Sequence, residues 1–514
     1  MIEGIMIGLY TAFTPTNLLM VLIGCFAGSF IGMLPGLGPV SAIALMIPIT
    51  YGFDPASGLI LMAGVYYGAI FGGSTSAILI NAPGVSGAVA TAFDGYPMAQ
   101  RGMAGKALAI AAYSSFIGGT VGAILLLVFV QVLATLSLSF QSADYFALML
   151  FGCTGVVALS AKGQVIKAIL MTLLGLMLST VGEDPSGIQR FTFNIPDLYD
   201  GISFLMLSMA TFALAEALLS VLRPGAEATT NEHNPANNKL SSLTLTKAES
   251  LEIAPTVGRS SLLGFFVGIL PGAGATIASF LAYGMERNLA STDKKQEFGK
   301  GSARGLAAPE TANNAASTGS FVPLLTLGIP GSATTAVMLG ALLSYGVQPG
   351  PRLYIEHPEV FWSVIISMYL GNIILLILNL PLIPYMSKLL DIPKNLLTPM
   401  ILFFSLIGVY LVSLNTVDLT MMVVFGVIAV GFRILDFPLA PLLLGFILGG
   451  MMEDNLRRAL LIWDGSFAFL WQRPMTAVIM SITLLTLAFP LINSLRQRSK
   501  NKLITELATN NLHD

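Results

Sequence analysis

Apolar residues in this chain come in long runs parted by short polar stretches, and run length is the first structural signal. A helix needs a run of about 17–25 residues to cross the hydrocarbon core of a bilayer. Such runs predict helices near 107–135, 144–160, 167–182 and 201–221, and again near 359–386, 397–413, 418–432, 438–451 and 474–495. Between the two sets, Arg223 to Val257 is rich in Asn, Ser, Thr, Glu and Pro and holds no long apolar run. That stretch reads as a linker.

Each set is preceded by an apolar stretch interrupted by Pro and Gly, and the two interruptions overlay. Gly28, Gly32, Pro35, Gly36 and Gly38 match Gly264, Gly268, Pro271, Gly272 and Gly274 at one constant offset, in the texts GSFIGMLPGLG and GFFVGILPGAG. Agreement at this many Gly and Pro positions in so short a window marks an internal repeat. A second break follows in each half, NAPGVSG at Asn81 to Gly87 and GIPGSAT at Gly328 to Thr334. The expected division is a first membrane repeat over 1–222, a polar cytoplasmic linker over 223–257, a second membrane repeat over 258–496 and a cytoplasmic tail over 497–514.

Composition turns this pattern into a class. Of 514 residues, 55% are apolar and 10% charged, against roughly 45–50% and about 25% in ordinary soluble proteins. The expected fold is an all-α polytopic membrane protein of about 11–12 spans, and a soluble enzyme is excluded. A net charge of −2 supplies no basic surface for nucleic acid. Cys25 and Cys153 sit in apolar runs with no second cysteine nearby, so they read as core residues rather than disulfide or metal partners. His233, His357 and His513 lie in the linker, a loop and the tail, which argues against an intramembrane metal or histidine base. The start Met1, Ile2, Glu3 has no basic region, so no removable signal peptide is expected.

Lys and Arg in short loops favour the cytoplasm. Lys162 with Lys167, Lys388 with Lys394, the loop of Arg287, Lys294, Lys295 and Lys300, and the tail with Arg496, Arg498, Lys500 and Lys502 read as inside. The loop with Glu183, Asp184, Asp197 and Asp200 reads as outside. Threading the spans between these anchors puts the Arg101–Lys106 loop inside and its counterpart around Pro351 to His357 outside. The repeats are therefore expected to be inverted, with residues 17–50 and 259–286 as re-entrant hairpins that enter and leave without crossing.

Irregular backbone at membrane depth persists only where protein or a water-filled cavity surrounds it, so four Pro-Gly breaks in corresponding places point to a site. A helix starting after a break presents free N–H groups and about half a positive charge, which suits a carboxylate. The expected substrate-binding residues are Pro35, Gly36, Gly38, Pro83, Gly84, Pro271, Gly272, Gly274, Pro330 and Gly331, with Ser41, Ser86, Thr276 and Ser332 placed to add hydroxyl donors. Inverted repeats, discontinuous helices and a midplane site together are the pattern of secondary transporters. The alternative for Gly24, Gly28 and Gly32 is a smooth face for close helix packing.

Two polar clusters accompany the breaks. Ser74, Thr75, Ser76 and Asn81, with Gly72 and Gly73, form the first, and Glu310, Asn313 and Asn314, with Pro309, Thr311, Ser317 and Thr318, the second. Hydroxyl and amide oxygens suit Na⁺, and Glu310 can add charge or carry a proton, so these are the expected ion-binding residues. The competing reading is a helix with a polar face lining a loop. Asp94 is expected to cap a turn at the inner interface, Glu216, Arg433 and Asp436 to be interfacial, and Trp362, Trp463 and Trp471 to anchor at the interfaces.

At these residues the texts YYGAIFGGSTSAILINAPG, TAFDGYPMAQRGMAGKAL, GILPGAGATIASFLAYGMER and AAPETANNAASTGSFVPLLTLGIPGSATTAVMLGAL closely resemble the large permease subunit of the bacterial tripartite tricarboxylate transporters. The resemblance runs from about residue 15 to 495. It implies an importer of organic carboxylates in the bacterial inner membrane, driven by Na⁺ or protons and otherwise free of cofactors. It also implies a small membrane subunit, a periplasmic binding protein, an elevator-like motion of the repeat-built core and room for a homo-oligomer. The family's glycine-proline motifs fall on the ten Pro and Gly positions given above, and its Pro-Glu-x-x-Asn-Asn element on Pro309, Glu310, Asn313 and Asn314. Arg304 departs from the pattern, since many relatives carry an acidic residue there. Facing the permeation route it would alter preference, and facing lipid headgroups it would mean little. Rival classes are a membrane enzyme, a passive anion channel and a structural subunit. The chain has no GxxxxGK[ST], HExxH or GxSxG motif for ATP hydrolysis, zinc or serine chemistry.

Overall fold

The computed structural model describes residues 2–34, 37–158, 164–184, 186–222, 243–272, 274–386 and 394–487. Pro35, Gly36, Lys162, His233, Lys388, His513 and the basic tail residues from Arg496 onward lie outside them. The first half contains α1 (Ile2–Ala12), α2 (Pro15–Met33), α3 (Gly38–Thr50), α4 (Pro55–Ile80), α5 (Val89–Met98), α6 (Ala104–Ser137), α7 (Ser142–Ala158) and α8 (Val165–Leu178). A bent span follows, α9 (Phe204–Ser208) and α10 (Ala215–Leu222) flanking a π-helical stretch Met209–Leu214. The second half runs α11 (Lys247–Ile269), α12 (Gly274–Leu289), α13 (Thr292–Lys295), α14 (Ala303–Gly319), α15 (Phe321–Leu327) and α16 (Ala333–Ser344). It continues with α17 (Pro351–Glu356), α18 (Pro358–Asn379), α19 (Ile383–Met386), α20 (Lys394–Ser413), α21 (Thr416–Ile434), α22 (Ala440–Ile462) and α23 (Phe469–Gln472), and a last apolar helix, Pro474–Leu487, closes the described chain. One two-stranded pair, Gly182–Glu183 with Gln189–Arg190, is the β structure among the described residues.

Six described helical segments are long and apolar enough to cross a membrane: Pro15–Met33, Pro55–Ile80, Ser86–Leu136, Phe204–Leu222, Pro358–Asn379 and Thr416–Ile434. Exposed apolar side chains such as Leu22, Phe26, Val132, Phe404 and Val427 line the outward faces. A surface of that kind belongs in lipid, and the protein is an integral multi-pass membrane protein.

The ends of these helices are written locally. Thr14 accepts the Asn17 N–H at 3.3 Å before Pro15, and Asp54 accepts the Ala56 and Ser57 N–H groups at 3.0 Å before Pro55, the usual chemistry of a first turn. Helix α4 ends on Asn81 and α15 on Gly328, both left-handed, so the two halves stop the same helix in the same way.

Close packing of small residues joins each half. A methyl group on Gly24, Gly28 or Gly32 of α2 would strike the Leu61, Val65 or Ala69 carbonyl of α4. One on Gly264 or Gly268 of α11 would strike the Ala312 or Ala316 carbonyl of α14. The packing alternative for these glycines is thus realised, twice, in one register. Each half then packs its long helix on the other: α6 lies on α11 and α14, and α18 on α2 and α4.

Inside the stretch read as a linker, Thr246 and Glu249 form a reciprocal capping box that starts α11 at Lys247, and the first turns of this helix are polar. Two expectations are corrected. Trp362 is buried on α18 rather than interfacial, its ring and backbone filling the space beside Gly4 and Gly8 of α1. Apolar runs also passed over α4, because Gly, Ser and Thr interrupt its apolar residues, yet nearly all of it is buried.

Candidate functional site

The described residues around the breaks approach one another within each half. In the second half the Gly272 N–H donates to the Gly331 carbonyl at 3.0 Å, and a methyl on Gly331 would lie 3.0 Å from the Gly268 carbonyl oxygen. In the first half the Gly84 N–H donates to Ser76 Oγ at 3.2 Å, and Gly84 lies flat against the Gly32 carbonyl, where no side chain fits. Gly38 and Gly274 open α3 and α12 at φ +58° and +57°, a left-handed geometry that glycine adopts without steric cost. Pro83 and Pro330 hold the extended chain between each helix end and its break; Pro271 follows Leu270, whose N–H donates to the Val267 carbonyl at 3.1 Å.

The expected hydroxyls divide. Ser86 Oγ and Thr276 Oγ1 lie 2.7 Å apart, joining the second break of one half to the first helix turn after a break of the other. Ser332 caps α16 through the Thr335 N–H at 3.2 Å and sits 3.5 Å from the Tyr66 hydroxyl. Ser41 is turned elsewhere, donating to the Phe212 carbonyl in the π-helical stretch at 3.2 Å.

The two polar clusters meet at Glu310. Its carboxylate is fully buried and accepts from Ser74 Oγ at 2.7 Å, Ser115 Oγ at 2.8 Å and Thr91 Oγ1. Four helices, α4, α5, α6 and α14, thereby converge on one carboxylate. Beside it is a cavity of about 10 Å³ lined also by Phe71, Thr75 and Asn379, room for roughly one water. Thr75 Oγ1 donates to the Phe71 carbonyl at 3.4 Å and lies 3.5 Å from Asn379 Oδ1, Ser76 is taken up with Gly84, and Asn81 is exposed at the α4 end. Asn314 donates to the Glu310 carbonyl at 3.0 Å but its Oδ1 has no partner, and neither amide atom of fully buried Asn313 has one. Thr91 and Ser115 were not singled out in the sequence. The signal for Ser115 was a Ser114–Ser115 pair inside the longest apolar run.

Asp94 does more than cap a turn of its own. Its Oδ1 accepts the N–H groups of Gly299, Gly301 and Ser302 at 2.9, 2.8 and 2.7 Å, which places a first-half carboxylate at the N-terminus of second-half α14, where the helix dipole favours it. Glu216 pairs with Arg433, so these are partners rather than independent interfacial groups, and Lys167 donates to the Leu435 carbonyl beside Asp436 at 2.6 Å.

Arg304 is held in a cluster of charged and polar side chains. It donates to Glu286 at 2.6 Å and to Thr256 at 3.1 Å, while Arg259 grips the same carboxylate at 2.7 and 2.9 Å. Glu286 is fully buried, so α11, α12 and α14 are tied by one carboxylate between two guanidinium groups. Glu286→Ala should leave two facing cations and cost about 3–5 kcal/mol. Arg304→Ala should cost less, because Arg259 still satisfies the carboxylate. Thermal unfolding of the detergent-purified variants checks this order, and equal losses would show that the triad does not act as one unit.

A family model, the tripartite tricarboxylate transporter TctA family, matches residues 18–444. An uncharacterized 52.8 kDa protein in the TAR-I ttuC' 3' region of Agrobacterium vitis is 40% identical over 509 residues, covering 98% of this chain and 99% of the relative. An uncharacterized protein in the TAR-II ttuC' 3' region of the same organism is 41% identical over 235 residues, covering 46% of this chain and 96% of the relative. No solved structure matches the chain.

Proposed function

We propose, from the premise that this chain belongs to the tripartite tricarboxylate transporter TctA family, that it is the large permease subunit of a binding-protein-dependent secondary transporter for organic di- or tricarboxylates. The family is one of transporters rather than enzymes. On this reading the subunit works in the bacterial inner membrane with a small membrane subunit and a periplasmic binding protein, and a Na⁺ or proton gradient drives import.

The observation that carries the reading is the approach of break residues within each half, Gly272 to Gly331 and Gly84 to Gly32, with hydroxyls at the helix starts and a buried carboxylate on the adjoining helices. Breaks of this kind are tolerated in a membrane protein where they line a binding cavity. Substrate carboxylate belongs at the breaks. The coupling ion belongs at Glu310 and its hydroxyls, with Thr75, Asn313 and Asn314 nearby on the same helices. The exchange of α6 and α18 between halves supports inverted repeats that move together as an elevator core.

Cells expressing all three components should accumulate a labelled carboxylate, and omission of either the binding protein or the small subunit should reduce accumulation to the background of cells lacking this chain. Entry through the large subunit alone that only equilibrates the acid across the membrane would point to a passive channel instead.

A further inference from the structure

The glycine seams fix a residue-by-residue correspondence between the halves. Gly28 on Val65 answers to Gly264 on Ala312, Gly32 on Ala69 to Gly268 on Ala316, and Gly72 on Ser29 to Gly319 on Phe265. In that register Tyr66 corresponds to Asn313 and Ala333 to Ser86, while the offset of the first breaks makes Val40 the counterpart of Thr276. Two pseudo-equivalent positions result, each where the second break of one half approaches the post-break helix of the other: α16 with α3, and residues Ser86–Ala88 with α12.

Chemically they are opposites. At the first, the residues are Val40 and Ala333, and buried Tyr66 reaches across to Ser332, its ring stacked on Tyr67 and packed against Phe321 at centroid distances of 6.2 and 6.0 Å. At the second, the short Asn313 takes the place of the tyrosine. Its amide is fully buried with neither atom hydrogen-bonded, and it is directed at Gly87, where a methyl group would lie 2.8 Å from Oδ1. The neighbouring residue Ser86 holds the exposed hydroxyl pair with Thr276 in the first turn of α12.

We propose that the chain has a single carboxylate site, made by Asn313, Ser86 and Thr276 at the N-terminus of α12, and that Tyr66 closes its pseudo-equivalent. This deepens, and rests on, the transporter reading. A carboxylate there accepts from the Asn313 amide N–H, from both hydroxyls and from the free N–H groups of the first turn of α12. All of these donors are neutral. The site therefore recognises one carboxylate group through directed hydrogen bonds and holds no fixed cation that would retain the anion after translocation.

The test uses the full chain with its small membrane subunit, and for uptake also the binding protein, with citrate, tartrate and succinate as probes. Native Cys25 and Cys153 are buried, so Ser86→Cys and Val40→Cys each add one reachable thiol. At saturating acid, alkylation of Ser86→Cys should slow by about tenfold, the occupancy expected well above Kd, and that of Val40→Cys should not change. In uptake, Asn313→Asp sets a like charge against the substrate and should raise the half-saturation concentration at least about tenfold. Thr276→Val should raise it less, and Tyr66→Phe should leave it unchanged. Equal protection of both cysteines, or unaltered half-saturation in both Asn313→Asp and Thr276→Val, overturns the single-site proposal while leaving the transporter reading intact. Wild-type protein that takes up none of the acids, together with a Ser86→Cys thiol that none of them protects, overturns the reading itself, and the site with it.

Discussion

Replacing Glu310 with alanine should reduce gradient-driven uptake at least about 100-fold, a loss of roughly 2.7 kcal/mol in the driven step, with the protein still inserted in the membrane. Glu310 is wholly buried, and the groups on its carboxylate are three hydroxyls drawn from three other helices. Neutral donors only partly offset the cost of a charge in a low-dielectric interior. A group so placed favours a bound cation or proton, and it can exchange one because hydroxyls rotate between donating and accepting. Glu310→Gln separates charge from shape. It keeps the volume and should retain carboxylate binding, but uptake should no longer respond to an imposed ion gradient. Gradient-dependent uptake by Glu310→Gln would move the coupling site elsewhere.

The second large effect is expected from Gly268→Leu. Inserting extra methylenes into a packed core ordinarily costs about 1–3 kcal/mol because neighbouring side chains shift. Here the atom struck is the Ala316 carbonyl oxygen, so α11 and α14 themselves have to separate. The Gly268 carbonyl also lies against Gly331, so the paired breaks would part with them. No monodisperse protein should be recovered from detergent. Gly258→Ala and Gly284→Ala, with open space where the new methyl would go, should elute as wild type. Normal elution and uptake by Gly268→Leu would refute the seam as a determinant of the fold.

Spans that face lipid were legible in the sequence because lipid demands an uninterrupted apolar surface. Helices α4 and α14 were not. Their surroundings are other helices, so Gly, Ser, Asn and Glu are accommodated along them, and α14 is buried along almost its whole length while reading as a polar segment. The breaks were legible as Pro and Gly in register, and Glu310, Asn313 and Asn314 as polar residues in an otherwise small-residue text. What tertiary packing alone brings together was hidden: Thr91 and Ser115 on Glu310, Tyr66 on Ser332, and Arg304 with Arg259 on Glu286. Trp362 misled for a related reason. Tryptophan near a predicted span end suggests an interface, whereas Gly4 and Gly8 of α1, at the far end of the sequence, provide the cleft that buries it.

Coupled transport is tested most directly by uptake of labelled citrate, tartrate and succinate into proteoliposomes that hold this chain with its small membrane subunit, with binding protein outside and a Na⁺ or proton gradient imposed. Accumulation above the outside concentration of at least one acid, dependent on the binding protein and abolished when the gradient is collapsed, is the expected result. Equilibration without accumulation, indifferent to either gradient, would contradict a secondary active transporter.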